Sequence, residues 1–543
     1  MNQNFLMTIN KYGLQAVLIF LMLIITDAAE SEIGIMASSG NELYIRELIK
    51  KADELKLYDD PYWHILLHYK KNFLFGYTSQ IDDPSFFLDV DGKDNPSAEM
   101  NATILAFFKP QEKDKIHGIE KFSARYAWLK SKLVIDIAKL PYDGDKKFYP
   151  TFYGKTKPEK AIIVFSAGYM NSPASMYGHT FLILESGSGS RLLAGSINYA
   201  ANTEETFGPV FAFNGLFGLY KGCYSFLPYY QKIKEYNDGE MRDMWEYELN
   251  LSPDEIEKLI RHMVEMENIY SDYYFIDENC SFNLLYLIEA ARPETALTDA
   301  FGIGVEPIDT LRVVRDKGLI KKRVYRPSLY SKIQFLRLKL SDKEQDFVLD
   351  VCNGKQDISV IDTMNIPEET KTVICDLIAD YLKFMAIKNN ITEQDYKKRF
   401  LAVLSKRNGF GKFDNFKNIT LPYAPEDSHE SRKFAIESGY SLNGFYSGIS
   451  YRQSCHELMD PDEGYNMNSQ IIFGNISGRY YYNSEDDKKF VLQKFDIIDI
   501  ISLPPSDSFF FSPCYEFKTG FIQNTFENEK EILSFWLKGN TGL

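Results

Sequence analysis

The hydrophobic pattern of this chain changes its period several times, so no single layered architecture can satisfy every segment. Residues 41–75 and 251–293 carry apolar positions at a helical spacing, whereas residues 161–200 read as short strands separated by turns. Residues 300–410 are again helical, and residues 430–543 alternate apolar and polar positions between turn residues. The pattern predicts a multidomain α+β protein that ends in an antiparallel β module of about five strands.

The N-terminus has the pattern of a secretory signal. A twelve-residue apolar run at 14–25 follows Lys11 and precedes the small residues from Thr26 to Ala29. Twelve residues are too few to cross a bilayer core of about 30 Å, which needs about 20 residues. We therefore expect residues 1–29 to be removed and the mature chain to be exported; an uncleaved anchor helix is the alternative.

The charge and the content of Cys and His argue against several classes of protein. The chain has 61 Lys and Arg against 76 Asp and Glu, a net charge of −15. No nucleic-acid partner is expected, because proteins that bind nucleic acid carry a basic field. The six cysteines contain no CxxC pair, and no His lies near a Cys at zinc-finger spacing. His64 and His68 have the i, i+4 spacing of a helical metal site, but they lack the carboxylate of an HExxH motif, so surface or core histidines are expected. Nucleotide-binding motifs are also missing, so we expect neither a metal nor a cofactor.

Cys280 stands in the sequence DENCSFNLLYLIEAARP, where Asn279 is a good helix N-cap and Pro293 ends the helix. The thiol would then lie in the first helical turn, where the positive end of the helix dipole and unpaired N–H groups stabilise a thiolate. Because the thiolate is the reactive form of cysteine, Cys280 is a candidate nucleophile. The alternatives are a buried structural cysteine and a disulfide with Cys223.

His179 opens an apolar strand directly after the turn-forming residues NSPASMYG. An imidazole beside Cys280 would complete the Cys–His unit of thiol acyl-transfer enzymes. If the following hairpin turns at residues 187–188, simple antiparallel register places Ser196 opposite His179, with Asn198 two residues further along on the same face. Either side chain could orient the imidazole, and a hydrogen-bonded packing histidine is the alternative.

Several long motifs, in this order, resemble the bacterial Lnb N-terminal periplasmic domain family over about residues 120–300: IIVFSAGYMNSPASMYGHTFLIL, INYAANT, KIKEYNDGEMRDMWEYELNLSPDEIEKLIRHMVEM and YYFIDENCSFNLLYLIEAARP. The resemblance implies a relationship to circularly permuted papain-like enzymes of the lecithin:retinol acyltransferase-like group. In that group the His strand precedes the Cys helix, which implies catalytic roles for His179 and Cys280. The Lnb family itself is associated with N-acylation of bacterial lipoproteins.

The fold we expect is a permuted papain-like core, with an antiparallel sheet and the Cys at a helix N-terminus, flanked by helical regions and by the β module. The segment from SYRQSCHELMD onward resembles an outer-membrane-like β region of Gram-negative members. Two alternatives remain for the β module, a small β domain and a partial barrel, because closed barrels of this type need about eight strands. The predicted segments are a signal peptide at 1–29, a helical domain at 36–118, the catalytic domain at 119–300, a helical linker domain at 301–425 and the β module at 426–543.

The functional hypothesis is an exported cysteine-dependent acyltransferase or hydrolase. Cys280 would attack a carbonyl of an envelope lipid, lipoprotein or peptide, His179 would be the base, and Asn198 or Ser196 would orient the base. The rival hypothesis is a non-catalytic binding or structural module of the envelope. Both place the protein in the periplasm, and the β module suggests association with the outer membrane.

Overall fold

The computed structural model describes residues 41–73, 75–142, 157–168, 170, 176–187, 190–205, 208–302, 304–441, 444–482, 490–525 and 531–542. The predicted signal peptide at 1–29 lies outside the described residues. The chain divides into two compact units, Met1–Tyr149 and Pro150–Leu543. Helices and antiparallel strands occur in both units, which confirms the α+β class.

The first unit is a small helical body with a two-stranded hairpin. Its core encloses an ion pair, in which Arg125 Nη1 lies 2.7 Å from Glu99 Oε1 and both side chains are fully buried. The guanidinium also stacks on the rings of Phe86 and Phe122. The elements of this unit are α1 (Glu42–Glu54), α2 (Pro61–Leu66), β1 (Tyr69–Lys71), β2 (Tyr77–Ser79), α3 (Pro96–Phe107), α4 (Gly118–Lys121) and α5 (Ser123–Leu133).

The centre of the second unit is a seven-stranded antiparallel sheet. Its strands are β3 (Pro158–Ser166), β4 (His179–Ser186), β5 (Gly195–Ala201), β6 (Tyr220–Pro228), β7 (Met244–Leu249), β8 (Tyr270–Tyr273) and β9 (Ile320–Arg326), in the order β8-β6-β5-β4-β3-β7-β9. Consecutive residues of β3 and β4 are buried. Since neighbouring side chains of a strand point to opposite faces, this central pair is covered on both sides.

Helices pack against the sheet, and one of them begins at Cys280. They are α6 (Gly208–Leu216), α7 (Tyr229–Lys232) with the π-helical turn Ile233–Gly239 after it, α8 (Pro253–Glu265), α9 (Cys280–Ala291) and α10 (Pro307–Asp316). Helix α9 is buried along its whole length and contacts both α8 and β4. Its apolar sequence therefore fits the centre of the unit, and its first residue is held at the sheet.

A helical region follows β9 and has its own core. Its helices are α11 (Leu329–Arg337), α12 (Asp342–Cys352), α13 (Glu368–Ile387) and α14 (Glu393–Gly409), with α13 in the middle. Phe509 and Phe510, from far along the chain, are part of this core, and the Tyr381 hydroxyl donates to the Phe509 carbonyl at 2.9 Å. The helical region is thereby tied to the C-terminal strands.

The chain ends in a six-stranded antiparallel sheet, one strand more than expected. The strands are β10 (Lys433–Ser441), β11 (Gly444–His456), β12 (Ser469–Tyr481), β13 (Phe490–Ser502), β14 (Cys514–Thr525) and β15 (Glu531–Gly542), paired in chain order. Strand β10 is the additional strand: it is exposed along most of its length, and its sequence has no regular alternation of apolar and polar residues. Within the described residues β10 and β15 are the two edges, so the sheet is open. No helix of the described chain is long and apolar enough to cross a membrane.

Candidate active site

Cys280 is the first residue of α9, as the sequence predicts. Asn279 caps the helix: its Oδ1 accepts the N–H groups of Ser281 at 3.1 Å and Phe282 at 3.2 Å. The other end of the same side chain donates to the Val305 carbonyl at 2.6 Å. Asn279 therefore fixes both the start of the helix and its attachment to the next segment, and Cys280 is held with 3% of its surface exposed.

His179 is delivered to the site by the turn before β4. Gly178 has φ +90°, and a Cβ at this position would lie 2.6 Å from carbon atoms of the Phe165 ring, so only glycine suits it. The imidazole of His179 packs against the ring of Tyr236, with centroids 5.3 Å apart. The turn and the packing together hold the imidazole beside α9.

Asn198 is the residue that contacts the imidazole. Its Oδ1 lies 2.6 Å from His179 Nε2. Because an amide oxygen only accepts, Nε2 carries the proton, and Nδ1 is the nitrogen left to receive a proton from a thiol. Asn198 is itself buried, and its Nδ2 lies 3.5 Å from Ser225 Oγ.

Ser196, the other candidate, lies elsewhere, and the predicted register is wrong. Ser196 pairs with Ile183 rather than with His179, and its hydroxyl donates to the Leu227 carbonyl at 2.7 Å. The shift arises because residues 191–193 form a 3₁₀ turn, so β5 begins only at Gly195. Continuing the observed register places residue 200 opposite His179, and Asn198 reaches the ring diagonally.

The thiol of Cys280 is free, so the alternative of a disulfide with Cys223 is wrong. Burial raises the pKa of this thiol, but the charge of His179 and hydrogen bonds from His179, the Thr180 N–H and Tyr273 lower it by more. The pKa of Cys280 is therefore lowered from 9.0 to about 7. At neutral pH about half of the molecules carry the nucleophilic thiolate.

Tyr273 is a site residue that the sequence analysis missed. Its hydroxyl accepts the N–H of Cys280, with N and O 3.2 Å apart, and it also hydrogen-bonds to the sulfur. Burial, and then the neighbouring Cys280, raise the pKa of Tyr273 well above its usual value. The segment YSDYYF contains Tyr270, Tyr273 and Tyr274, and only the short strand β8 decides which of them faces the thiol.

A small cleft reaches the sulfur and encloses about 20 Å³, enough for about one water molecule. Helix α6 lies beside the cleft, where the ring centroids of Phe211 and Phe275 are 5.1 Å apart. Phe213 in α6 and Phe217 directly after it are more than half exposed. The cleft is lined by Tyr177, Gly178, Tyr273, Phe275, Asn279, Cys280 and Pro307.

Among the described residues, one group combines His and carboxylate side chains at a metal-like spacing: His429, His456 and Asp460. His429 Nε2 and His456 Nδ1 are 2.9 Å apart, and the ring centroids are 5.2 Å apart, so the two nitrogens point at each other. Two ligands of one metal would instead converge on a third point. Asp460 is already bound by Arg452 and Lys433. The two histidines are therefore hydrogen-bonded to each other, and Asp460 belongs to an ion-pair group with Arg452 and Lys433.

Comparison with known proteins matches four parts of the chain to family models. Residues 148–317 match the model described as the Lnb N-terminal periplasmic domain. Domains of unknown function match residues 55–132 (DUF7843), 323–419 (DUF7842) and 422–543 (DUF7840). No curated protein and no solved structure matches the chain. The segment that matches the Lnb N-terminal periplasmic domain contains Cys280, His179, Asn198 and Tyr273.

Proposed function

We propose that this protein is a cysteine-dependent acyltransferase or hydrolase of the cell envelope. Residues 148–317 match the Lnb N-terminal periplasmic domain, and this match supports export to the periplasm. The observation that carries the proposal is the chain of contacts from the Cys280 thiol to His179 and from His179 to Asn198. A thiol, a base and an orienting amide in hydrogen-bond sequence are the parts of a thiol acyl-transfer site.

The proposed reaction has two stages. The thiol proton of Cys280 passes to His179 Nδ1, and the sulfur attacks the substrate carbonyl to form a tetrahedral intermediate. When the intermediate collapses, the leaving group departs with the proton from His179 and an acyl thioester remains on Cys280. Water or an acceptor amine or hydroxyl then attacks the thioester, with His179 as base, and restores the thiol. Asn198 keeps the imidazole in the orientation and tautomer that both stages need.

A permuted papain-like origin belongs to the same proposal. The order in the chain is the His strand, then the Asn strand, then the Cys helix, and the Cys is the first residue of that helix. The combination of Cys, His and Asn is the one used by papain-like proteases. These features support the relationship, and they favour an enzyme over a non-catalytic envelope module, for which no chain of contacts to the thiol is needed.

The substrate class we propose is an envelope lipid, lipoprotein or peptide with an apolar portion. The support is the aromatic surroundings of the cleft: Phe275 lines it, Phe211 packs on Phe275, and Phe213 and Phe217 expose their rings on the same segment. Aromatic side chains of this kind bind acyl chains as well as apolar peptide side chains. A cleft of water-like volume admits the reacting carbonyl group only, so the apolar portion would lie on the α6 side.

Covalent labelling tests the catalytic proposal. The mature protein is treated with an alkyne-tagged acyl thioester, and labelled protein is quantified after rapid quenching. We expect strong labelling of the wild type, none of Cys280→Ala, and at least about a hundredfold slower labelling of His179→Ala. Cys375→Ala, which removes a buried thiol of the helical region, is the matched control and should label like the wild type. Undiminished labelling of Cys280→Ala would sink the proposal.

We further propose that the C-terminal sheet associates with the outer membrane. The register of the sheet aligns one apolar residue from each strand in a single row across it: Phe434, Tyr451, Ile476, Phe495, Phe521 and Phe535. The neighbouring row on the opposite face begins with Lys433, Arg452, Asn475 and Asp496. A sheet with one apolar, solvent-exposed face and one polar face is typical of membrane-facing strands.

Flotation with vesicles tests this association. The mature protein is mixed with phosphatidylethanolamine–phosphatidylglycerol vesicles and centrifuged through a density gradient. We expect the wild type to float, and the double variant Phe434→Ser, Phe535→Ser to remain at the bottom, because both rings are exposed on the apolar face. Ala435→Ser, on the opposite face of the same strand, is the control and should float. A wild type that stays at the bottom would rule out this proposal.

A further inference from the structure

We infer that the Tyr273 hydroxyl donates a hydrogen bond to the oxyanion that forms when Cys280 attacks a carbonyl. This inference rests on the proposed function and adds a residue to it. Preorganised donors aimed at the developing negative charge are commonly the largest single contribution to acyl-transfer catalysis. In the described part of the site, the Thr180 N–H and the Tyr273 hydroxyl both hydrogen-bond to the sulfur, and of these two the Tyr273 hydroxyl also contacts the Cys280 N–H.

The Cys280 N–H and the Tyr273 hydroxyl are close enough to serve one oxygen atom. The Cys280 nitrogen and the Tyr273 hydroxyl oxygen are 3.2 Å apart. An oxygen placed on one side of this pair can therefore lie at hydrogen-bond distance, about 2.7–3.1 Å, from both atoms. In the resting enzyme the hydroxyl accepts the Cys280 N–H, and a substrate oxygen that comes beside this pair would receive a hydrogen bond from each of the two groups.

The hydroxyl keeps its proton while the thiolate forms. Burial raises the pKa of Tyr273, and the adjacent Cys280 sulfur raises it further, so the phenol keeps its proton at neutral pH, where the thiolate forms. The ring has little freedom to leave, because it stacks on Tyr199 with centroids 5.8 Å apart and contacts Phe275 edge-on. Its backbone is paired with Tyr220 in the sheet.

The step in which Tyr273 acts balances without a further reactant. The Cys280 sulfur forms a bond to the carbonyl carbon while the π electrons of the C=O bond move to oxygen. The Tyr273 hydroxyl turns its hydrogen from the sulfur to that oxygen as the sulfur loses its negative charge. The phenol proton stays on Tyr273, and its hydrogen bond to the substrate oxygen becomes stronger as that oxygen gains negative charge. When the C=O bond re-forms and the leaving group departs, the hydroxyl returns to its resting partners.

Two reactions of the same thiol separate this role from simple activation of the sulfur. Acylation by an acyl thioester passes through an oxyanion, whereas alkylation by iodoacetamide does not. In Tyr273→Phe we expect the acylation rate of Cys280 to fall by about a hundredfold and the alkylation rate by less than about threefold. Tyr199→Phe, which removes a hydroxyl from the ring stacked on Tyr273, is the control and should change neither rate.

The ratio of the two rates decides the inference. If Tyr273→Phe lowers acylation and alkylation by the same factor, or lowers neither, Tyr273 is not an oxyanion donor and the inference is overturned. Normal alkylation of Cys280 in the variant also shows that the site has folded, so a folding defect cannot imitate the expected result. A wild type that is alkylated at Cys280 but never acylated would instead refute the proposed function, and this inference with it.

Discussion

Replacing His179 with alanine should abolish the low pKa of the Cys280 thiol. In the wild type, burial raises this pKa, while the charge of His179 and its hydrogen bond are the two largest opposing influences and bring it to about 7. His179→Ala removes both influences and leaves burial in place. The pKa of Cys280 should therefore return to its ordinary value of 9.0 or above. That hundredfold change in the ionisation constant corresponds to about 2.7 kcal/mol.

The effect on reactivity at one pH is smaller than this figure suggests. At neutral pH the thiolate fraction falls from about one half to about one hundredth. A thiolate of higher pKa is intrinsically more nucleophilic, by about tenfold over this range, since the Brønsted slope is about 0.4–0.5. The net loss of alkylation rate at neutral pH is therefore only about fivefold. The midpoint of the pH profile is the more sensitive quantity, because intrinsic reactivity does not move it.

The assay is the rate of iodoacetamide alkylation of the Cys280 peptide, measured by mass spectrometry between about pH 5 and pH 10. We expect a midpoint near 7 for the wild type and at 9 or above for His179→Ala. Cys514, a partly exposed cysteine of β14, is measured in the same samples and should react identically in both proteins. A wild-type midpoint near 9, or equal midpoints in the two proteins, would refute the reasoning.

Three further predictions, made with four substitutions, test other parts of the structure. Asn198→Ala should slow acylation of Cys280 by about a hundredfold, whereas Ser196→Ala should leave the rate unchanged, as measured by quenched labelling. Gly178→Ala should lower the free energy of unfolding by at least about 2 kcal/mol in urea, because φ is +90° and the added Cβ has no room. Glu99→Gln should cost about 3–5 kcal/mol in the same assay, because it leaves the buried Arg125 charge without its partner.

The local features of the site were predictable from sequence because they depend on neighbouring residues. Asn279 predicts the first turn of α9, and the helix does begin at Cys280. The capping box of α8 is equally local: Ser252 Oγ accepts the Glu255 N–H at 3.3 Å, and the Glu255 carboxylate accepts the Ser252 N–H at 2.7 Å. A hydrogen bond between a side chain and the backbone three residues away can be predicted without knowledge of the fold.

The remaining features depend on how strands pair, and sequence reasoning missed them for that reason. The choice between Ser196 and Asn198 rests on a 3₁₀ turn that consumes residues 191–193 and shifts the register of the hairpin. Tyr273 reaches Cys280 only because β8 pairs with β6 at the edge of the sheet. Pairing between strands that are far apart in sequence leaves no periodic signal in either segment.

The measurement that tests the central claim most directly is the mass of the Cys280 peptide after an acid quench. The wild-type protein is mixed with an acyl thioester, quenched within the first turnover and digested. We expect the Cys280 peptide to gain the mass of the acyl group minus one hydrogen, and neutral hydroxylamine, which cleaves thioesters, to remove it. If Cys280 stays unmodified while substrate is consumed, or if the acyl group is found on another residue, Cys280 is not the nucleophile.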